Sequence, residues 1–210
     1  MNKKDKIIKV INISLLVVLL FSVITNINSF TSFAASTWRG YAVYRDGVVL
    51  NLNDHAALMY EGSKDDNLPI LQAPGVGSVV KYDTWEGFIA NGQYIGIYKP
   101  KNCNMTTTVA NQFQSLAREL RGISYTLWDQ IDYYASSSMW VRPEHIGNLR
   151  CDGVIEYVYE WYGYKVGGIG DAWDITLNDN RNYLQHTGFL INPRRQHTEL
   201  LQYIGSFEPK

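Results

Sequence analysis

The sequence predicts an α+β fold in which an antiparallel sheet from the first half packs against helices from the second. Three observations predict it. Residues 41 to 98 hold short apolar runs separated by turn residues such as Asp46-Gly47 and Pro74-Gly75. Val109, Phe113, Leu116 and Leu120 then recur at helical spacing. Cys151, Val154, Ile155, Val158 and Tyr162 do the same, with Asp152, Glu156 and Glu160 on another face, which predicts a helix half buried along one side.

The chain has 210 residues, 46% hydrophobic and 19% charged, which suits one globular core and argues against disorder. Residues 1–35 differ in composition from the rest. Lys3, Lys4, Lys6 and Lys9 precede an apolar run from Ile13 to Ile24, and small residues follow at Ser32, Ala34 and Ala35. We read a secretory signal peptide cut near Ala34 or Ala35. The apolar run is too short for a retained spanning helix, which needs roughly twenty residues. Removing four lysines and Asp5 takes the formal charge from −1 to −4. Such a balance suggests neither nucleic acid nor an anionic membrane as partner. With no cysteine at the cut, no lipid anchor is expected. The remaining domain, 36–210, is expected to be a monomer, secreted or wall-associated in a bacterial-type cell.

Within that domain, Tyr41 to Arg45 and Val48 to Leu52 flank the Asp46-Gly47 turn as a hairpin. Asp54 to Tyr60 reads as the next strand, Glu61 to Asn67 as a polar turn, and Leu68 to Ala73 as a partner strand. Val79 to Tyr82 and Tyr94 to Tyr98 complete a five- or six-stranded sheet, with a short helical turn over Trp85 to Ile89. After Thr106 to Thr108 a helix runs to Leu120 and closes at Gly122. From Trp128 to Leu149 the aromatic, irregular composition, broken by Ser136-Ser137-Ser138 and Arg142-Pro143, predicts a surface loop. The Cys151 helix stops at Gly163, and Leu200, Leu201 and Ile204 suggest a last short strand or helix.

Cys151 is the candidate nucleophile because it falls in the first turn of its helix. There, unpaired N–H groups and the positive end of the dipole favour thiolate over thiol. A small buried hydrophobe at a helix start is the bland alternative. A disulfide to Cys103, the second cysteine of an exported chain, is the structural alternative.

The pattern Ala117, Leu120, Gly122, Tyr125, then Cys151, Gly153, Tyr157-Val158-Tyr159 and Gly163 resembles the NlpC-type branch of papain-like cysteine peptidases, over about fifty residues. The resemblance implies a catalytic histidine opening a strand and an orienting polar residue on the next strand. His55, in Asp-His-Ala-Ala-Leu-Met-Tyr, and Gln72, in Ile-Leu-Gln-Ala-Pro-Gly, match those positions. Alternation puts His55 on the same face as Ala57 and Met59. Glu61 and Asp54 are substitutes for the third member, and an edge-strand residue facing water is the plain reading of Gln72.

Because His55 and Gln72 precede Cys151, the chain resembles the circularly permuted NlpC-like hydrolases and their lecithin-retinol acyltransferase relatives. The resemblance places Tyr125 near the nucleophile as a hydroxyl donor. Many wall-cutting members have Asp-Cys-Ser-Gly, where this chain has Arg150-Cys151-Asp152-Gly153. Arg150 therefore cannot pair with a peptide amine, though a guanidinium can meet a substrate carboxylate, and a solvated helix-start residue is the alternative. Asp152 completes the candidate substrate group.

The resemblance implies a thiol hydrolase that cleaves an amide bond, in a peptidoglycan peptide, through an acyl-enzyme on Cys151. An acyltransferase or lipid esterase is the alternative on the same fold. From a different class, a non-catalytic module stacking sugars on Trp128, Tyr133, Tyr134 and Trp140 is the rival. No cofactor is implied, and the four histidines and two cysteines lack metal-ligand spacing.

Overall fold

The computed structural model describes residues 37–47, 54–134, 141–167 and 190–210. The leader, the predicted Val48 to Leu52 strand, Trp140 and the segment 168–189 lie outside the described residues. Six strands form the main sheet: β1 (Ala42–Arg45), β2 (His55–Met59), β3 (Ile70–Gln72), β4 (Lys81–Asp83), β5 (Tyr94–Lys99) and β9 (Gln202–Gly205). Their spatial order is β4-β3-β2-β1-β5-β9, and every neighbouring pair is antiparallel. β2 therefore sits inside the sheet, paired with β1 over His55 to Leu58 and with β3 at Leu58 and Met59.

Alternation along these strands separates two apolar faces. Val43, Ala57, Met59, Ile70 and Ile97 meet Trp85 and Phe88 of the short helix α1 (Trp85–Ile89). Ala42, Tyr44, Ala56, Leu58 and Leu71 face the opposite way, into the larger core with helices α2 (Thr107–Glu119) and α3 (Cys151–Trp161). α2 begins where the Thr106 hydroxyl accepts the Val109 N–H, a side-chain cap, and its buried stripe is Ala110, Phe113, Leu116 and Ala117. Gly122, just beyond it, has φ +86°, a left-handed turn suited to glycine.

The segment expected to be a surface loop before Cys151 is partly a second sheet. β6 (Ser124–Tyr125), β7 (Ile131–Tyr133) and β8 (Ile146–Leu149) pair in the order β6-β8-β7, with Ile131, Val141, Ile146 and Leu149 buried. Each of these strands is only two to four residues long, too short for alternation to stand out in the sequence. Near the C-terminal end, a helical turn α4 (Pro193–Arg195) runs into a π-helical turn at Gln196–Leu200 and then β9.

Helix α3 departs from the expected half-buried form. Cys151 through Glu160 are all buried, so it is a central helix with no solvent face along that length. Its acidic stripe fastens surrounding segments. Asp152 binds Arg150, Glu156 Oε2 accepts from Gln130 and Gln196, and Glu160 Oε1 accepts the Val166 and Gly167 N–H groups. Tyr157 donates to Val141 O at 2.6 Å and Tyr159 to Gly40 O at 2.9 Å, so both phenols are buried with partners. Gly153 lets the helix approach the chain before β7. A side-chain carbon there would run into the Gln130 carbonyl, which also accepts the Arg150 N–H at 3.0 Å.

Candidate active site

His55 is the first residue of β2, directly opposite Arg45 of β1. Its Nε2 stands 2.6 Å from Gln72 Oε1, and both residues are buried. Gln72 is the last residue of β3, flanked by β2 and β4, so it is neither an edge residue nor water-facing. The two other candidates for the third position are engaged elsewhere. Glu61 pairs with Arg39 at 2.9 Å, and Asp54 pairs with Arg194 and with His197 Nε2 at 2.7 Å.

Burial pushes the His55 imidazole down to about 4, the Arg45 cation adds to this, and the Gln72 bond pulls weakly the other way. A charged imidazolium has little to gain in a dry site beside a guanidinium. His55 is consequently neutral at neutral pH, the form that can accept a proton.

Cys151 opens α3, which packs against β2. The sulfur takes a hydrogen bond from the backbone of Ala56, the residue after His55. Cysteine and histidine thus approach the same end of β2, the thiol from the α3 side and the imidazole from the Phe88 side, where the two rings are 5.9 Å apart. Among the described residues no hydrogen bond joins the sulfur to the His55 ring. Burial raises the thiol to about 12, and the Asp152 carboxylate adds to the rise. The Ala56 bond and Arg150 offset part of it. The helix-start effect expected to favour thiolate is therefore outweighed by desolvation. Cys103 is buried elsewhere and both thiols are free, which removes the disulfide alternative.

Tyr125 ends β6, in register with Leu149 two residues before the nucleophile. Burial first, then the nearby Cys151 and Asp152, hold its phenol well above the ordinary value, so it stays a hydroxyl donor.

Arg150 and Asp152 pair with each other. Arg150 Nε and one terminal nitrogen meet the two Asp152 oxygens at 2.6 and 3.0 Å, and the guanidinium also reaches the carbonyls of Ile191 and Leu127. With 3% exposure, Arg150 is not the solvated helix-start residue that the sequence allowed, and Asp152 is fully buried beside it. The rival aromatic set is divided: Trp128 and Tyr134 are exposed, Tyr133 is half buried, and Trp140 lies outside the described residues.

Two residues near the site escaped sequence reasoning. Arg45 carries an ordinary strand pattern, and only the register shows it opposite His55. Asp83 receives the Gln72 amide at 2.9 Å, and β4, the strand that carries it, is only three residues long.

The sequence matches no protein-family model and no curated protein. A solved structure of similar architecture is titled the metalloprotein yiiX of Escherichia coli O157:H7, DUF1105. It shares 15% identity over 83% of this chain and 99% of that one, with a TM-score of 0.49. A likeness of that degree carries no inference about this chain.

Proposed function

We propose that the chain is a secreted thiol hydrolase of the circularly permuted, papain-like NlpC kind, cleaving an amide bond in peptidoglycan peptides. The observation that carries this reading is the His55–Gln72 hydrogen bond, which orients a neutral imidazole at the strand end where the Cys151 sulfur is seated. The Gln72 oxygen can only accept, so Nε2 carries the proton and Nδ1 keeps the lone pair. Nδ1 takes the thiol proton, and the sulfur attacks the substrate carbonyl. The first-turn N–H of Cys151 and the Tyr125 hydroxyl then hold the oxyanion. The intermediate then collapses by breaking the carbon–nitrogen bond, the imidazolium gives its proton to the departing amine, and water releases the acyl group from sulfur as the free acid.

Support for the permuted arrangement comes from the chain order, with the histidine sheet preceding the cysteine helix. Trp38 Nε1 donates to Lys210 O at 3.1 Å, so the first and last described segments touch. Adjacent ends are what makes permutation of a packed domain inexpensive.

The experiment is an activity-based thiol probe followed by digestion of purified muropeptides. Probe attachment at Cys151 that is lost in His55→Ala, with new free amines released from the muropeptides, is the expected result. Equal labelling with and without His55 would sink the reading.

A lipid-acyl substrate is the second reading. It is favoured by the internal pairing of Arg150 with Asp152, which leaves neither charge for a peptide, and by the exposed Trp128 two residues before Gln130. Transfer of an acyl group from phospholipid to Cys151, without muropeptide cleavage, would select it.

A further inference from the structure

We propose that Asp83 is a positioning residue that decides which end of the Gln72 amide faces His55, and so which imidazole nitrogen is protonated. An amide side chain has nearly identical shape in its two orientations, so its own packing does not choose between them. Its neighbours must. Gln72 Nε2 is 2.9 Å from Asp83 Oδ2, and a carboxylate oxygen only accepts. The NH₂ end is therefore committed to Asp83, and the oxygen is turned to His55 Nε2 at 2.6 Å. His55, Gln72 and Asp83 lie on three successive strands, β2, β3 and β4.

Asp83 is itself held as an anion in one place. Lys81 Nζ lies 2.9 Å from the oxygen that receives Gln72, and the Thr84 N–H donates to the other oxygen at 3.0 Å. These bonds, with that from Gln72, outweigh burial and keep its carboxyl below the ordinary range. The carboxylate also requires the missing side chain of Gly87, because a carbon there would collide with it. The result is a directed chain from Lys81 through Asp83 and Gln72 to the imidazole.

The catalytic consequence rests on the hydrolase reading, whereas the tautomer does not. Without Asp83 the amide is free to turn, and its NH₂ group then donates to Nε2. The proton moves to Nδ1, the atom needed as base. Replacing the orienting carboxylate of a serine-protease triad by an amide costs ~10⁴ through this tautomer error. One bond further from the imidazole, Asp83→Ala should lower kcat/KM by about ten- to a hundredfold.

The test is long-range ¹H–¹⁵N correlation NMR of the His55 ring in the purified protein, together with kcat/KM. The Nε2–H tautomer is expected in the native protein, with a mixture or the Nδ1–H form in Asp83→Ala. Asp83→Asn, whose carbonyl can still accept from Gln72 beside Lys81, should restore the native pattern. An unchanged Nε2–H tautomer in Asp83→Ala, or an Asn variant as altered as the Ala one, overturns the proposal. A tautomer change in a protein that shows no thiol reactivity would support the orienting role while removing the hydrolase reading.

Discussion

Arg150 and Asp152 form a fully buried, two-pronged ion pair on either side of the nucleophile, with separations of 2.6 and 3.0 Å. The same guanidinium gathers the carbonyls of Leu127 and Ile191, so one side chain ties the strand segment before β7 and the segment before α4 to the start of α3. Removing one partner of such a pair strands the other charge away from water. Arg150→Ala should cost about 3–5 kcal/mol. The paired change Arg150→Met with Asp152→Leu should cost less than either single truncation, since no lone charge remains. Urea unfolding of the variants, compared at equal slope, checks this.

Gln72 makes a prediction that separates orientation from packing. Gln72→Leu keeps most of the volume but leaves His55 Nε2 and Asp83 without the amide between them. Stability should fall by about 1–3 kcal/mol, the cost of unmet buried polar groups. The imidazole should become still harder to protonate, because the Gln72 bond raises its pKa. Probe labelling of Cys151 should fall more steeply than the folded fraction at the same temperature. Labelling that simply tracks the folded fraction would reduce Gln72 to a packing residue.

Much of the sheet was legible because its strands carry local signals. His55 to Met59 and Tyr94 to Lys99 are bounded by turn residues, and Thr106 announces α2 through its capping hydroxyl. The resemblance, and not any local pattern, puts Gln72 beside His55, and the two side chains meet at 2.6 Å. The small sheet β6-β8-β7 was missed because its order depends on contacts between segments up to 24 residues apart, such as Ser124 and Asn148, which no local pattern encodes. The acidic stripe of α3 misled for a related reason. Carboxylates at helical spacing usually mark a solvated face, but here Gln130, Gln196 and the Val166 N–H arrive from elsewhere to receive them. Asp83 was invisible because its role comes from a strand register and not from its own neighbours in the chain.

The thiol offers a prediction through Asp152. Burial is the main cause of the raised Cys151 pKa and Asp152 is the next. Asp152→Asn removes that negative charge and leaves the Arg150 cation less compensated, and both changes favour thiolate. The pH midpoint of Cys151 alkylation by iodoacetamide should therefore move down by one unit or more, about the effect of a close charge in a buried site. Cys103→Ser in the background keeps the readout to one thiol. A midpoint that stays in place or rises would show that the carboxylate does not set the reactivity of the sulfur.

Acid stability should carry two opposed contributions that single variants can separate. His55 has its pKa lowered from 6.5 to about 4, so the unfolded chain binds the extra proton between those values. Its contribution is present above pH 6.5 and is lost as pH falls through about 4, with an upper limit of roughly 3 kcal/mol. Glu156 is raised by burial from 4.5 to about 8, although Gln196 and Gln130 act against the rise. Its contribution has the other sign: it is present below pH 4.5 and is lost as pH rises through about 8. Between pH 4.5 and 6.5 the two slopes oppose each other, and the native protein should show a shallow dependence there. Glu156→Gln, which keeps an acceptor for Gln130 and Gln196, should expose a clear rise of stability with pH across that window. His55→Gln should expose the fall. Urea midpoints measured at half-unit intervals from pH 4 to 8 decide the matter, and parallel curves for all three proteins would mean that neither buried group titrates on unfolding as the geometry requires.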